Sequence, residues 1–275
     1  MTPVSRTFDL SGFGVTVDGL DQETASELDR IWGRFAGRGD RALVHVTTKF
    51  DFPATLAATI EGPPLERSFA DGGALFVSPE GKIELDANGV GRVTIGSGIA
   101  SRRAFAIINL LLAGCAWRLP NEGAAMVHSG AILINGRGFV LVGSSGAGKS
   151  TFVRCAQQGG AEVVSEDLNL LITEGETVWL AGSPFRTRNY PGPGPGRWPL
   201  AAFLLSEHGG PAALQPITPL IFSAQLHANL PFVGDCWPQL PGATGVSERL
   251  EGCPARRLRF APDPSFVPLL NEFGS

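Results

Sequence analysis

The sequence predicts an α/β fold: a phosphate-loop core of mixed sheet and helices, preceded by a small β-rich subdomain. Three observations carry that expectation. A glycine-rich loop, Gly143–Ser150, stands between a strand-like run, Phe139–Val142, and a helix-like run, Ser150–Gln158. Short apolar runs separated by turn residues fill the first part of the chain. A composition 43% hydrophobic and 17% charged over 275 residues calls for a packed core rather than disorder. The expected division is an α+β subdomain over 1–99 and the loop-bearing domain over 100–275.

Composition narrows the function classes. Net charge is −4 with no long basic run, which argues against nucleic acid as partner. Cys115, Cys155, Cys236 and Cys253 form no C-x-x-C pair, so neither a disulfide framework nor a zinc site is expected. The start, MTPVSRTFDL, lacks the apolar centre of a signal peptide. The most apolar stretch, Ala104–Leu119, carries Arg118 and is short for a bilayer, so it reads as a buried helix. A cytoplasmic protein with no membrane partner is the expectation.

In chain order, FDLSGFGVTVD reads as a strand or hairpin about Gly12. Asp21 caps a helix running to about Phe35, with Leu28, Ile31, Trp32 and Phe35 on one face. Strand candidates follow at Ala42–Thr47, Leu56–Ile60, Ala74–Val77, Ile83–Leu85 and Val90–Ile95, separated by turns such as Ala87-Asn88-Gly89. His45, between two valines, reads as a structural strand residue. Ser101 starts a helix to Arg118 that is apolar nearly all round. Arg102 and Arg103 sit unfavourably at its positive end, which calls for solvation or a nearby acid.

Ala131–Ile134 and Phe139–Val142 flank Asn135-Gly136-Arg137-Gly138, a hairpin signal. If Ile134 pairs with Phe139, His128 falls opposite Ser145, inside the loop. The loop itself fits G-x-x-x-x-G-K-[ST]. Gly143, Gly146 and Gly148 free the backbone to turn successive N–H groups toward phosphate oxygens. Ser144, Ser145, Ala147 and Thr151 complete that cradle. Lys149 supplies charge for the outer phosphates, and the Ser150 hydroxyl suits Mg²⁺. The helix that follows turns its positive end toward the same anion and stops at Gly159-Gly160.

Glu162–Ser165 is a further apolar run, and it delivers two adjacent acids, Glu166 and Asp167. Leu168, Leu170 and Ile172 alternate into a second hairpin closed by Val178–Leu180. The segment from Ser183 to Pro199, SPFRTRNYPGPGPGRWP, cannot be helix or inner strand. Its arginines, Arg186, Arg188 and Arg197, suit a loop over nucleotide or acceptor, and Arg186 joins the catalytic candidates. Leu200–Leu205 and Arg257–Phe260 read as strands, and Pro219–Leu230 and Pro264–Phe273 as helices.

His128-Ser129-Gly130, the loop, VVSEDLNLL, SPFR, PLAAFLL and RRLRFAPDPSF together resemble the HPr kinase/phosphorylase-like family, with its phosphoenolpyruvate-carboxykinase-like core. The branch of HPr-kinase-related and lasso-peptide kinases looks most similar. The likeness covers about residues 100–272. It implies an ATP- and Mg²⁺-dependent kinase that phosphorylates a hydroxyl, serine of a protein or peptide being the expected acceptor. It implies His128, Lys149, Glu166 and Asp167 as catalytic groups. Glu166 stands where relatives have an aspartate that acts as base on the acceptor. Asp167 matches the second acid and joins Ser150 as a metal ligand. A homo-oligomer is left open. The competing readings are a nucleotide-binding regulator or peptide-binding module without transfer, a small-molecule kinase, and a PEP carboxykinase.

Overall fold

Alternating apolar residues build the first sheet. The computed structural model describes residues 2–55, 66–185, 190, 192–234 and 236–273. The segment proposed as a strand over 56–60 lies outside them. Strands β1 (Val4–Leu10) and β2 (Phe13–Leu20) form a hairpin. Helix α1 (Gln22–Trp32) crosses to β3 (Arg41–Thr55), which lies parallel to β2. Strands β4 (Glu66–Ala70), β5 (Gly73–Ser78), β6 (Gly81–Leu85) and β7 (Val90–Ser97) complete the order β1-β2-β3-β7-β6-β5-β4. Helix α2 (Ala100–Arg118) packs against the same sheet and against α1.

Residues to Leu119 form one compact unit and those from Pro120 another. The division therefore falls about twenty residues later than the expected boundary, counting from 99 to 119. The cause is α2, whose apolar surface contacts β3, β5, β6 and β7. The helical stretch Ala100–Glu122 is long and apolar enough to cross a membrane by length and composition, and 78% of its apolar window is buried. Its first-turn Arg103 has the acid that the sequence called for. It lies 3.1 Å from Asp21, the residue whose carboxylate also accepts the N–H of Thr24 at 2.9 Å and caps α1. Helix α1 ends at Trp32, and Gly33–Phe35 tightens into a 3₁₀ turn.

The second unit begins with β8 (Ala124–Ile134) and β9 (Arg137–Val142), followed by α3 (Lys149–Gln158). Then come β10 (Glu162–Ser165), β11 (Leu168–Glu174), β12 (Thr177–Ala181), β13 (Arg197–His208) and β14 (Ala213–Pro216). Helices α4 (Pro219–His227) and α5 (Ala243–Glu251), strand β15 (Ala255–Phe260) and helix α6 (Val267–Asn271) complete the described chain. The sheet runs β10-β8-β11-β12-β13-β15-β14, and β9 bridges β8 and β13. Following the pairings from β8 through β11, β12, β13 and β9 returns to β8, so five strands close on themselves. The whole is an α/β protein with two mixed sheets, as expected.

Helix α3 is anchored by aromatics. Phe152 is fully buried, stacks on Phe266 at 5.2 Å and meets Phe260 edge-on at 6.3 Å. Losing such a ring costs about 3–5 kcal/mol. On the other side, a Cβ at Gly130 would lie 3.0 Å from Val153 and 3.2 Å from the Lys149 carbonyl. Glycine there lets α3 sit close to β8.

Candidate active site

His128 is the residue at which β8 changes partners. Ala124–His128 pair with β11, whereas Ser129–Ile134 pair with β9. The chain steps from β10 to β11 through Glu166-Asp167, and those two strands flank different halves of β8. Both acids and the histidine therefore meet where the strands part. Backbone bonds fix the meeting. Ser129 N–H donates to the Asp167 carbonyl at 2.8 Å, and His128 N–H donates to the Asn229 carbonyl at 2.8 Å.

The hairpin register differs from the expected one by two residues. Ile134 pairs with Arg137, not Phe139, because the turn is the two-residue Asn135-Gly136 with φ of 53° and 72°. The last ladder pair is Ser129 with Val142, so His128 lies just beyond it rather than opposite Ser145. A two-residue shift keeps the facing of every side chain. His128 and Ser145 still line one cleft. Strand alternation would send Glu166 and Asp167 to opposite sides, yet both line this cleft, because they form a link between strands rather than a strand end.

The cleft measures about 520 Å³. His128, Lys149, Ser150, Thr151, Glu166 and Asp167 supply its side chains, and Ser145, Gly146 and Gly148 its loop wall. Gly146 and Gly148 take φ of 80° and 89°, which a side chain would strain. Among the described residues no side chain caps the N-terminus of α3, which leaves its first N–H groups open to an anion. Lys149 is buried, and its Nζ donates to the carbonyls of Gly143 at 2.7 Å and Ser144 at 3.1 Å.

Charge in the cleft is only partly balanced. His128 Nε2 lies 3.3 Å from Asp167 Oδ1. Burial and the Lys149 charge hold His128 below its ordinary pKa, and Asp167 pulls it back up. Burial also lowers Lys149, again opposed by Asp167.

Ser150 and Asp167, the expected metal pair, line the same cleft. Among the described residues no group of three His, Cys, Asp or Glu side chains is placed to hold a metal ion by itself. A hydroxyl and one carboxylate suit Mg²⁺, which takes few protein ligands and keeps water and phosphate oxygens. They do not suit zinc. Gly143, Ser144 and Ala147 lie on the other flank of the loop, where they line a second cavity. Arg186 and Arg188 lie outside the described residues. Arg197 is held by Glu174 at 2.5 Å, at the hairpin end of β11.

Three supporting residues were not foreseen from sequence. Asn169 is 1% exposed, and its Nδ2 donates to the Ser129 carbonyl at 2.6 Å and the Ser129 hydroxyl at 3.0 Å. It ties β11 to β8 beside His128, and its Oδ1 has no hydrogen-bond partner among the described residues. Its signal was a polar residue inside the apolar run LNLLI. Ser165 Oγ accepts the Asp167 N–H at 3.2 Å. Ser206 Oγ donates to the Ala147 carbonyl and steadies the loop from β13. No family profile matches the chain, and no curated protein does.

Proposed function

We propose that this chain is an ATP- and Mg²⁺-dependent kinase that transfers the γ-phosphoryl group to a hydroxyl, serine of a protein or peptide being the acceptor. The observation that carries the reading is the convergence of His128, Lys149, Ser150, Glu166 and Asp167 on one cleft beside an uncapped helix start. Phosphoryl transfer needs positioning and charge neutralisation above all. The loop N–H groups and Lys149 bind the phosphates. For that, Lys149 must leave the carbonyls of Gly143 and Ser144. Glu166 takes the acceptor proton as the oxygen–phosphorus bond forms and the γ-phosphate leaves its bridging oxygen. Ser150 and Asp167 would hold Mg²⁺, which supplies charge neutralisation to the phosphates when bound. Neutral His128 donates a hydrogen bond toward the transferring group or orients Asp167.

Incubation with γ-labelled ATP and serine-containing peptides tests the reading. Labelled peptide from the parent protein, and none from Lys149→Ala, is expected. A second reading is a nucleotide-binding switch without transfer, favoured by the hold of the loop carbonyls on Lys149. ATP binding with no labelled product from any acceptor would select it.

A further inference from the structure

The glycine-rich loop has two flanks, and the proposed chemistry uses only one. Strand β9, which feeds the loop, has β8 on one side and β13 on the other. The β8 side carries His128 and the acids. On the β13 side the last pair with β9 is Leu205 with Val142, so Ser206, Glu207 and His208 emerge level with the loop. There a second cavity of about 350 Å³ opens, bordered by Ser144, Glu207, His208, Ile221, Gln225 and Arg257.

We propose that this cavity receives the nucleoside, base and ribose, of the triphosphate held by the loop. The inference rests on the kinase reading. If Glu166 acts at the outer phosphate, the triphosphate presents that end to the β8 flank. Its inner end then leaves toward the opposite flank. His208 marks the exit, because its Cε1 lies 3.1 Å from where a Cβ on Gly148 would stand. The cavity has the chemistry of a nucleoside site. Ile221 is 44% exposed on the first turn of α4 and offers an apolar wall. The exposed His208 ring offers a stacking face. Glu207 and Gln225 can accept and donate to ribose hydroxyls and base edges. Glu207 and Arg257 are 3.9 Å apart, too loosely paired to close the space to a polar ligand. The volume falls within the range of small-molecule sites, about 300–1,000 Å³.

Calorimetric titration with Mg-ATP and with Mg-tripolyphosphate separates this proposal from the one beneath it. The parent should bind ATP more tightly than tripolyphosphate. Ile221→Asp should weaken ATP about tenfold and Gln225→Ala about threefold, with tripolyphosphate affinity unchanged in both. Ile221 is exposed, Gln225 is partly exposed, and Gln225→Ala is a simple truncation, so loss of fold does not confuse the result. ATP affinity unchanged in both variants, or tripolyphosphate binding as tightly as ATP to the parent, would overturn the nucleoside site and leave the kinase reading standing. A parent that binds neither ligand would overturn both.

Discussion

Each unit holds a histidine–aspartate pair, and the surroundings of the two differ more than the pairs do. In the first unit His45 Nε2 lies 2.6 Å from Asp18 Oδ2. In the second His128 Nε2 lies 3.3 Å from Asp167 Oδ1. Exposure does not tell them apart: the side chains are 49% and 38% accessible in one pair, 46% and 41% in the other. Asp18 is held low by hydrogen bonds from Ser5 and His45, so its charge is answered locally. His128 is depressed by burial and by Lys149, so Asp167 faces a charged lysine and an imidazole that resists protonation. One pair stitches β2 to β3. The other sits where strands separate and a ligand can enter. What separates the two pairs is an unbalanced neighbour and an opening, not their residue types.

The largest test of that contrast removes the unbalanced neighbour. Lys149→Ala should cut transfer by a hundredfold or more, on the order of the loss for one electrostatic stabiliser. It should also raise the His128 pKa toward its ordinary 6.5, readable by NMR titration. A normal turnover rate would end the loop reading.

Next, Glu166→Gln should keep Mg-ATP binding and lose most transfer, about a hundredfold or more for a general base. Asp167→Asn should weaken the Mg²⁺ dependence of nucleotide binding as well as turnover. Calorimetry with and without Mg²⁺ distinguishes them. A pure rate defect in Asp167→Asn would mean that the two roles are exchanged.

His128→Gln should lower turnover by tens to hundreds of fold, with ATP affinity nearly intact. It carries a pH signature too. A histidine depressed by folding binds a proton more readily in the unfolded chain, so stability falls as pH drops below 6.5. His128→Gln should remove that part of the acid slope in urea titrations at pH 5 to 7. An unchanged slope would show that His128 does not resist protonation.

The smallest effect belongs to the other pair. His45→Ala should leave turnover unchanged and alter stability by less than about 1 kcal/mol, as expected of a half-exposed ion pair. A clear loss of activity would break the contrast.

The local pattern carried much of this molecule. Asp21 as a helix cap, the presence of a hairpin turn at Asn135 and the loop ending at α3 were all readable, because each depends on neighbours within a few residues. Register was readable only to its parity. Whether the turn took two residues or four decided the partner of Ile134, and only the ladder chooses. Membership was not readable: α2 is apolar all round, so nothing in its own residues names the sheet it covers. Ser206 and His208 escaped notice because they reach the loop through the parallel pairing of β13 with β9, more than fifty residues apart in sequence. The acids were found, but not their shared facing, since a strand exchange is invisible to a period of two.

The closed run of β8, β11, β12, β13 and β9 has a consequence for the molecule's behaviour in a crowded solution. A ring of strands has no border at which another chain can add. Among the described residues, the second unit's sheet ends only at β10 and β14, each four residues long. Such short ends template foreign pairing poorly. The unit can therefore open a cleft at the centre of its sheet, where strands part around His128, while its outer margins remain unattractive to intermolecular β-association.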